Sequence, residues 1–346
     1  MNSTTKTVLT RDTIQKIMEK HFGDVQVQNV TELTEGWFNA IYVVDYTKDG
    51  QSVSVVLKTG VEEGKYVLSY EKDMARAELA VYDMLEGTII PTAKILARDL
   101  SRELIRCDYF IMERMTGDNW GHLNGKLTPE NRELLVAELA RYTAALHQIK
   151  SPWYGYIKDD PAYQYASWRE AFQGFIKMAV SDGREQGLQL PYDELLEALE
   201  PCWFLLDNIK EACLVNFDMW TKNIMLKKQE DGLYHIDAII DLERGFYGDP
   251  YADFISSNTV VGDVSTCQNF MKNYSSVSGK EFLYTDRDRT RLVMYNIYLT
   301  LLLGVEVYRK TSEQEKEQAL ESCRSMLVSL FGQLKEAVGK LYLDSL

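Results

Sequence analysis

The apolar pattern of the chain changes period near residue 115. Before that point, stretches rich in Val, Ile and Tyr alternate as half-buried strands do: "VQVQNVTEL" from Val25, "FNAIYVVDYT" from Phe38 and "SVSVVLKT" from Ser52. The last two are joined by "KDGQ", a hairpin turn signal, and "KILARD" and "DYFIMERM" add two further strands. After that point helical spacing dominates. "TPENRELLVAELARYTAALHQI" opens with Thr128 as cap and Pro129 in the first turn, and Leu135, Leu139, Tyr142 and Leu146 share one face. Further helices are expected around 168–187 and 192–210 and through the C-terminal part. One short β segment interrupts them, "CLVNFD…NIMLKK…LYHIDAIIDLE".

This order predicts an α+β chain of two lobes: residues 1–115 with a small antiparallel sheet, and residues 116–346 mostly helical with a β insert. The first helix is expected within "LTRDTIQKIMEKHFG", capped by Thr10 and ended by Gly23. A second is expected over "SYEKDMARAELAVYDMLEG", closed by Gly87. A ligand site between two such lobes follows, since sites favour domain interfaces.

Charge and composition exclude other classes. The 346 residues carry a net charge of −14, which argues against nucleic acid as a partner and is compatible with a cationic small substrate. Five cysteines, an odd number without a CxxC pair, fit reduced thiols and a cytoplasmic setting. Four histidines show no zinc-type spacing. "MNSTTKTVLTRDT" lacks the apolar stretch of a signal peptide. The most apolar run, Leu292 to Val305, falls short of the ~20 residues a membrane span needs and contains Asn296, so a buried core helix is expected and no membrane partner.

Three polar residues in the β insert point to chemistry. Asp218 and Asn223 lie five apart between the apolar runs "CLV" and "NIML", and Asp241 follows the strand "IDAII". Phosphoryl transfer needs a carboxylate that orients an attacking hydroxyl, and a neutral oxygen with a second carboxylate to hold Mg²⁺. These residue types occur here in that order. Upstream, Lys58 closes "SVVLK", where it can reach nucleotide phosphates if a carboxylate steadies it, and Glu78 in the following helix is the candidate. The turn "LTEGWFNAIY" between the first two strands has one glycine, Gly36; backbone amides near it, and the Asn39 side chain, could line phosphate oxygens.

The set Lys58, Glu78, "FIMERMTG", "NFDMWTKN" and "IIDLERGFYGDPYADF" resembles the aminoglycoside phosphotransferase and choline kinase-like superfamily, most clearly across residues 30–260. The resemblance implies a protein-kinase-like fold and ATP-dependent phosphorylation of a hydroxyl on a small molecule, aminoglycoside-like, amino-sugar-like or choline-like. It assigns Lys58 to the α/β-phosphates, Glu78 to the lysine and Glu113–Met115 to the hinge that meets adenine. Asp218 becomes the catalytic base, Asn223 and Asp241 the Mg²⁺ ligands, and Asp253 a brace for the catalytic loop. Glu243 could touch either metal-bound water or substrate.

Two departures stand out. The phosphate loop is poor in glycine, and Asn216 occupies the place of the family's structural histidine in "HxDxxxxN". Together they motivate an alternative, a pseudokinase that binds nucleotide or ligand without turnover. If the Asn216 amide replaces the histidine ring, Asn216→Ala should loosen the loop. For the acceptor pocket, Asp159, Asp160, Glu170, Asp263, Glu306, Trp153, Tyr154, Trp168 and Trp220 are candidates, as acidic or aromatic walls for an amine.

Overall fold

The computed structural model describes residues 3–343, Glu35 and Trp37 excepted. Helix α1 (Arg11–Phe22) starts where the Thr10 side chain accepts from the Thr13 backbone N–H, and it ends at Gly23, whose φ of 79° suits glycine. Strands β1 (Gln26–Glu32), β2 (Ala40–Lys48) and β3 (Gln51–Thr59) follow. The β2–β3 turn has positive φ at both central residues, Asp49 and Gly50, which matches the twist of a tight hairpin. Helix α2 (Met74–Leu85), β4 (Ile95–Asp99) and β5 (Tyr109–Glu113) complete an antiparallel sheet of order β1-β2-β3-β5-β4.

Strand periodicity divides this sheet between two cores. Tyr42, Val44, Val55, Leu57, Tyr109 and Ile111 pack with Ile14, Ile17 and Met18 of α1. Val43, Val56, Phe110 and Met112 face the other way, into the core that holds Leu79 and Tyr82 of α2. Lys58 shares parity with Val56, so alternation alone aims it at α2.

The expected helix from Ser69 to Gly87 is shorter than its sequence pattern. A single 3₁₀ turn covers Ser69–Glu71, Asp73 adopts φ 56°, and α2 begins only at Met74. The interruption turns Glu71 inward: its carboxylate accepts from the Leu68 N–H at 2.8 Å, takes the Tyr308 hydroxyl at 2.6 Å and pairs with Arg309. Similarly, the expected helix over 192–210 is α-helical only from Tyr192 to Leu199 and continues as 3₁₀ through Leu206, because Pro201 cannot donate to the helix ladder.

The remainder is the mostly helical part anticipated above. Its main helices are Pro129–Leu146, Trp168–Glu185, Asp286–Val305 and Glu313–Leu343. They surround an aromatic core in which Trp168, Phe172, Phe175, Phe246, Tyr295 and Tyr298 interlock. Among the described residues only Asp286–Arg309 is long and apolar enough to cross a membrane, and 67% of its apolar window is buried inside the fold, as a core helix requires. Asn296 is accommodated there by donating to the Leu292 carbonyl one turn back.

Two small sheets carry the β insert. Strand Ala212–Val215 pairs with Phe246–Gly248 and with Lys150–Ser151, and hairpin Ile224–Lys228/Tyr234–Ile239 pairs with Asp118–Asn119. Residues 216–223 connect the first sheet to the second.

Candidate active site

Three segments converge between the sheet lobe and the helical part. From β3 comes Lys58, from α2 Glu78, and from the turn after Tyr234–Ile239 come Asp241 and Glu243. The Lys58 Nζ lies 2.7 Å from Glu78, 2.6 Å from Asp241 and 3.1 Å from Glu243. Only 4% of the lysine side chain and 1% of Glu78 reach solvent, whereas 36% of Asp241 does. One buried cation therefore faces three carboxylates. Burial opposes the lysine charge, but Asp241, Glu243 and Glu78 overcome it and hold the ammonium protonated well above its ordinary range. Burial pushes the Glu78 and Glu243 carboxyls up, and the neighbouring acids add to this. Glu78 is ion-paired with Lys58, and both its carboxylate oxygens are buried. Oxygens of Glu78, Asp241 and Glu243 lie within 4.8 Å of one another. This excess of buried negative charge fits a divalent cation.

The connecting loop is the second component. Phe217 adopts φ 63° and Asp241 φ 61°, conformations that cost energy for side-chain-bearing residues and cluster where a site is held in a fixed shape. The twist at Phe217 lets two successive backbone N–H groups meet one carboxylate: Asp253 Oδ1 accepts from Phe217 at 2.6 Å and Oδ2 from Asn216 at 3.1 Å. His147, just past the helix Pro129–Leu146, lies 3.0 Å from the same Oδ2 and 2.8 Å from the Tyr274 hydroxyl. Ser256 donates to the Phe217 carbonyl.

Asp218 follows this brace. Its Oδ2 accepts from Asn223 Nδ2 at 3.0 Å, and the Arg244 Nε lies 3.7 Å away. No described residue hydrogen-bonds Oδ1. A quarter of the side chain is exposed, yet burial of the rest pushes the carboxyl up to about 7, against the pull of Arg244. Asn223 also donates to the Asp218 carbonyl, and its own backbone carbonyl accepts from Ile240, which sets Asn223 beside Asp241 across the strand ends. The Asn223 side-chain oxygen takes no hydrogen bond among the described residues.

The family model of APH, the phosphotransferase enzyme family, matches residues 29–293. The chain belongs to that family. It is a small-molecule kinase by this membership, and the two-part fold agrees. Solved structures of APH enzymes share the architecture across more than nine-tenths of the chain. A thermostable variant of aminoglycoside phosphotransferase APH(4)-Ia in ternary complex with AMP-PNP and hygromycin B is 15% identical, with a TM-score of 0.60, over 92% of this chain and 98% of that one. The streptomycin–ATP–APH(2'')-IIa ternary complex is 14% identical, with a TM-score of 0.58, over 94% and 99%. ADP-bound APH(2'')-Ib is 14% identical, with a TM-score of 0.56, over 93% and 99%. At such identities the likeness is one of fold. No curated protein matches the chain.

The fold thus brings together Lys58, Glu78, Asp218, Asn223 and Asp241, and it adds detail to the other candidates. The Asn39 side chain is committed to Glu243, at 2.5 Å, and so cannot freely line phosphates. Gly36 is half-buried, while its neighbours Glu35 and Trp37 lie outside the described residues. In the segment Glu113–Met115 the Glu113 N–H is taken by the Lys94 carbonyl at 2.9 Å. Among the acceptor-pocket candidates, Trp168 and Tyr154 are buried: Trp168 is core, bonded to Tyr295, and Tyr154 donates to the Ile209 carbonyl. Asp159, Asp160 and Glu170 are exposed, with Asp160 capping a short turn. Glu306 lies between two arginines rather than open to an amine. Sequence reasoning missed His147 and Arg244. The first gives no local signal, but the second stands three residues after Asp241, on the segment already singled out.

Proposed function

We propose that this APH-family chain transfers the γ-phosphoryl group of ATP to a hydroxyl of a small molecule. The observation that carries this reading is the convergence of Lys58, Glu78 and Asp241 within 2.7 Å contacts, beside an Asp218–Asn223 pair at 3.0 Å. Asp218 Oδ1 takes the acceptor hydroxyl, orients it and receives its proton as the bond to phosphorus forms. Lys58, steadied by Glu78, meets the α/β-phosphates. Asn223 and Asp241 would hold Mg²⁺, which would supply positive charge against the negative charge that develops on the transferring group. Met115 supplies a backbone N–H to adenine, since that of Glu113 is occupied. Gly36 lies in the segment that covers the phosphates, and Asn39 supports it indirectly by fixing Glu243. The division near residue 115 separates the nucleotide lobe from the acceptor lobe.

The relatives above are complexes with hygromycin B or streptomycin and with AMP-PNP, ATP or ADP. By extension, an amino-sugar acceptor is the first choice here and a choline-like amine the second. A net charge of −14 favours a cationic acceptor, and the reduced cysteines a cytoplasmic setting. The alternative of binding without turnover gains no support from the family match or the solved neighbours. The test is ADP release from Mg²⁺–ATP across a panel of hydroxyl acceptors. Asp218→Asn should lower kcat by roughly 10²–10⁴-fold with ATP binding retained; wild-type turnover in that variant removes Asp218 from the role.

A further inference from the structure

We propose that Glu306 is a positioning residue for phosphotransfer: it holds Arg244 against the Asp218 carboxylate and ties both to the turn Ser69–Glu71 ahead of α2. The inference rests on the phosphotransfer reading above. Glu306 stands just past the helix Asp286–Val305, with 11% of its side chain exposed. Arg244 Nη2 reaches its two oxygens at 2.8 and 3.0 Å. The Tyr70 hydroxyl donates to it, and Arg309 lies 3.5 Å away while pairing with Glu71.

A guanidinium is planar and rigid, so fixing Nη2 on Glu306 also fixes where Nε points. Here Nε points at Asp218 Oδ2 from 3.7 Å, and among the described residues Arg244 is the one cation within 4 Å of that carboxylate. Arg244 Nη1 has no hydrogen-bond partner among the described residues, and Arg244 lines a small cavity with Tyr70, Tyr156, Phe217 and Tyr298. Among the described residues Glu306 is therefore the firm ion-pair anchor of the guanidinium. Burial opposes the Glu306 charge, but Arg244 and Arg309 outweigh it and keep the carboxyl below its ordinary range.

The charges explain why one residue has this leverage. Arg244 and Arg309 are balanced by Glu306 and Glu71, which leaves Arg244 free to lean on Asp218 only while Glu306 is ionised. Removing the Glu306 charge takes away the ion pair that fixes the orientation of Arg244, so Nε is no longer held at its place by Asp218, and buried donors are left unpaired. The effect reaches two distant places at once: the loop that carries Asp218, and the turn whose inward bend sets the start of α2 and hence Glu78.

Glu306→Gln tests this because it keeps size and removes charge. Two readouts are taken: ADP release from Mg²⁺–ATP with water as acceptor, and hydrogen–deuterium exchange without nucleotide. Expected are a kcat lower by about 10–100-fold and a KM for ATP within about threefold of wild type. Exchange should rise in residues 216–223 and 69–71 and stay unchanged in helix Asp286–Val305. Arg244→Lys, which keeps the charge but loses the planar fork, should be impaired in the same way, and the double variant should be no slower than the worse single one. Asp193→Asn, an exposed change in the same lobe, is the control. Wild-type exchange in 216–223, or a rise throughout the protein, overturns the proposal. If the wild-type protein releases no ADP with water or with any hydroxyl acceptor of the panel, the phosphotransfer reading fails, and exchange still decides whether Glu306 holds the loop.

Discussion

Asp253→Asn isolates the brace of the loop. The Asp253 carboxylate is fully buried and serves three donors: Phe217 N–H on Oδ1, and Asn216 N–H and His147 on Oδ2. An amide replaces one acceptor oxygen by a donor. If its NH₂ takes the Oδ1 place it faces the Phe217 N–H; in the Oδ2 place it faces the Asn216 N–H, while His147 can switch tautomer and accept. At least one buried backbone N–H is orphaned either way, at about 1–3 kcal/mol. The surviving bonds lose their charge assistance, which removes roughly 1 kcal/mol each. The expected loss is about 2–5 kcal/mol in urea unfolding, with turnover down by ~10²-fold because the loop before Asp218 shifts. Exchange of the Asn216 and Phe217 amides should rise most. An unfolding midpoint equal to that of the wild type would refute the reasoning, since it would mean these short bonds contribute nothing net.

Other perturbations give different signatures. Lys58→Met leaves Glu78 buried beside two acids, so a loss of about 3 kcal/mol is expected in nucleotide-free protein, the low end for a broken buried pair because Asp241 can relax into solvent; an unchanged unfolding midpoint speaks against the cluster. His235, held between Glu138 at 2.6 Å and Asp231 at 2.9 Å, has its pKa raised: burial disfavours its charge, but these hydrogen bonds outweigh it. Its stabilisation is thus complete below the unfolded value of about 6.5 and is lost as pH rises through the higher folded value. The stability gap between wild type and His235→Gln should be widest near pH 6 and narrow towards pH 9; a gap that widens with pH contradicts this. Asn216→Ala should change stability by less than about 1 kcal/mol and leave turnover within a few-fold, in contrast to Asp253→Asn; a loss matching that of Asp253→Asn shows that the Asn216 amide matters after all.

What was legible in the sequence is what depends on near neighbours. The strands, the caps at Thr10 and Thr128 and the aim of Lys58 follow from periods of two and 3.6 and from side chains that reach two or three residues. The order Asp218, Asn223, Asp241 survives because a loop and one hairpin fix it. What was hidden depends on distant partners. The early break before α2 is set by Glu71 meeting Arg309, 238 residues away, and no local period records that contact. His147 reaches Asp253 from a helix end 106 residues upstream, and Arg244 meets Glu306 62 residues on, each through helix packing.

Asn216 shows how the two kinds of information separate. Read along the chain, its amide looked like a substitute for a bracing ring. In the fold its Oδ1 is buried with no hydrogen-bond partner among the described residues, and the residue is held through its backbone N–H by Asp253. A backbone donor is present whatever side chain is attached, provided it is not proline. The polar tie beneath the loop comes instead from His147, which supports Asp253 from below. A position whose structural duty is carried by its main chain, with the ring supplied from the end of another helix, is expected to change its side chain without disturbing Asp218. On that reading a missing histidine in the motif says little about whether the site works, while Asp253, which accepts from both loop N–H groups, is the residue whose change should disturb the loop most.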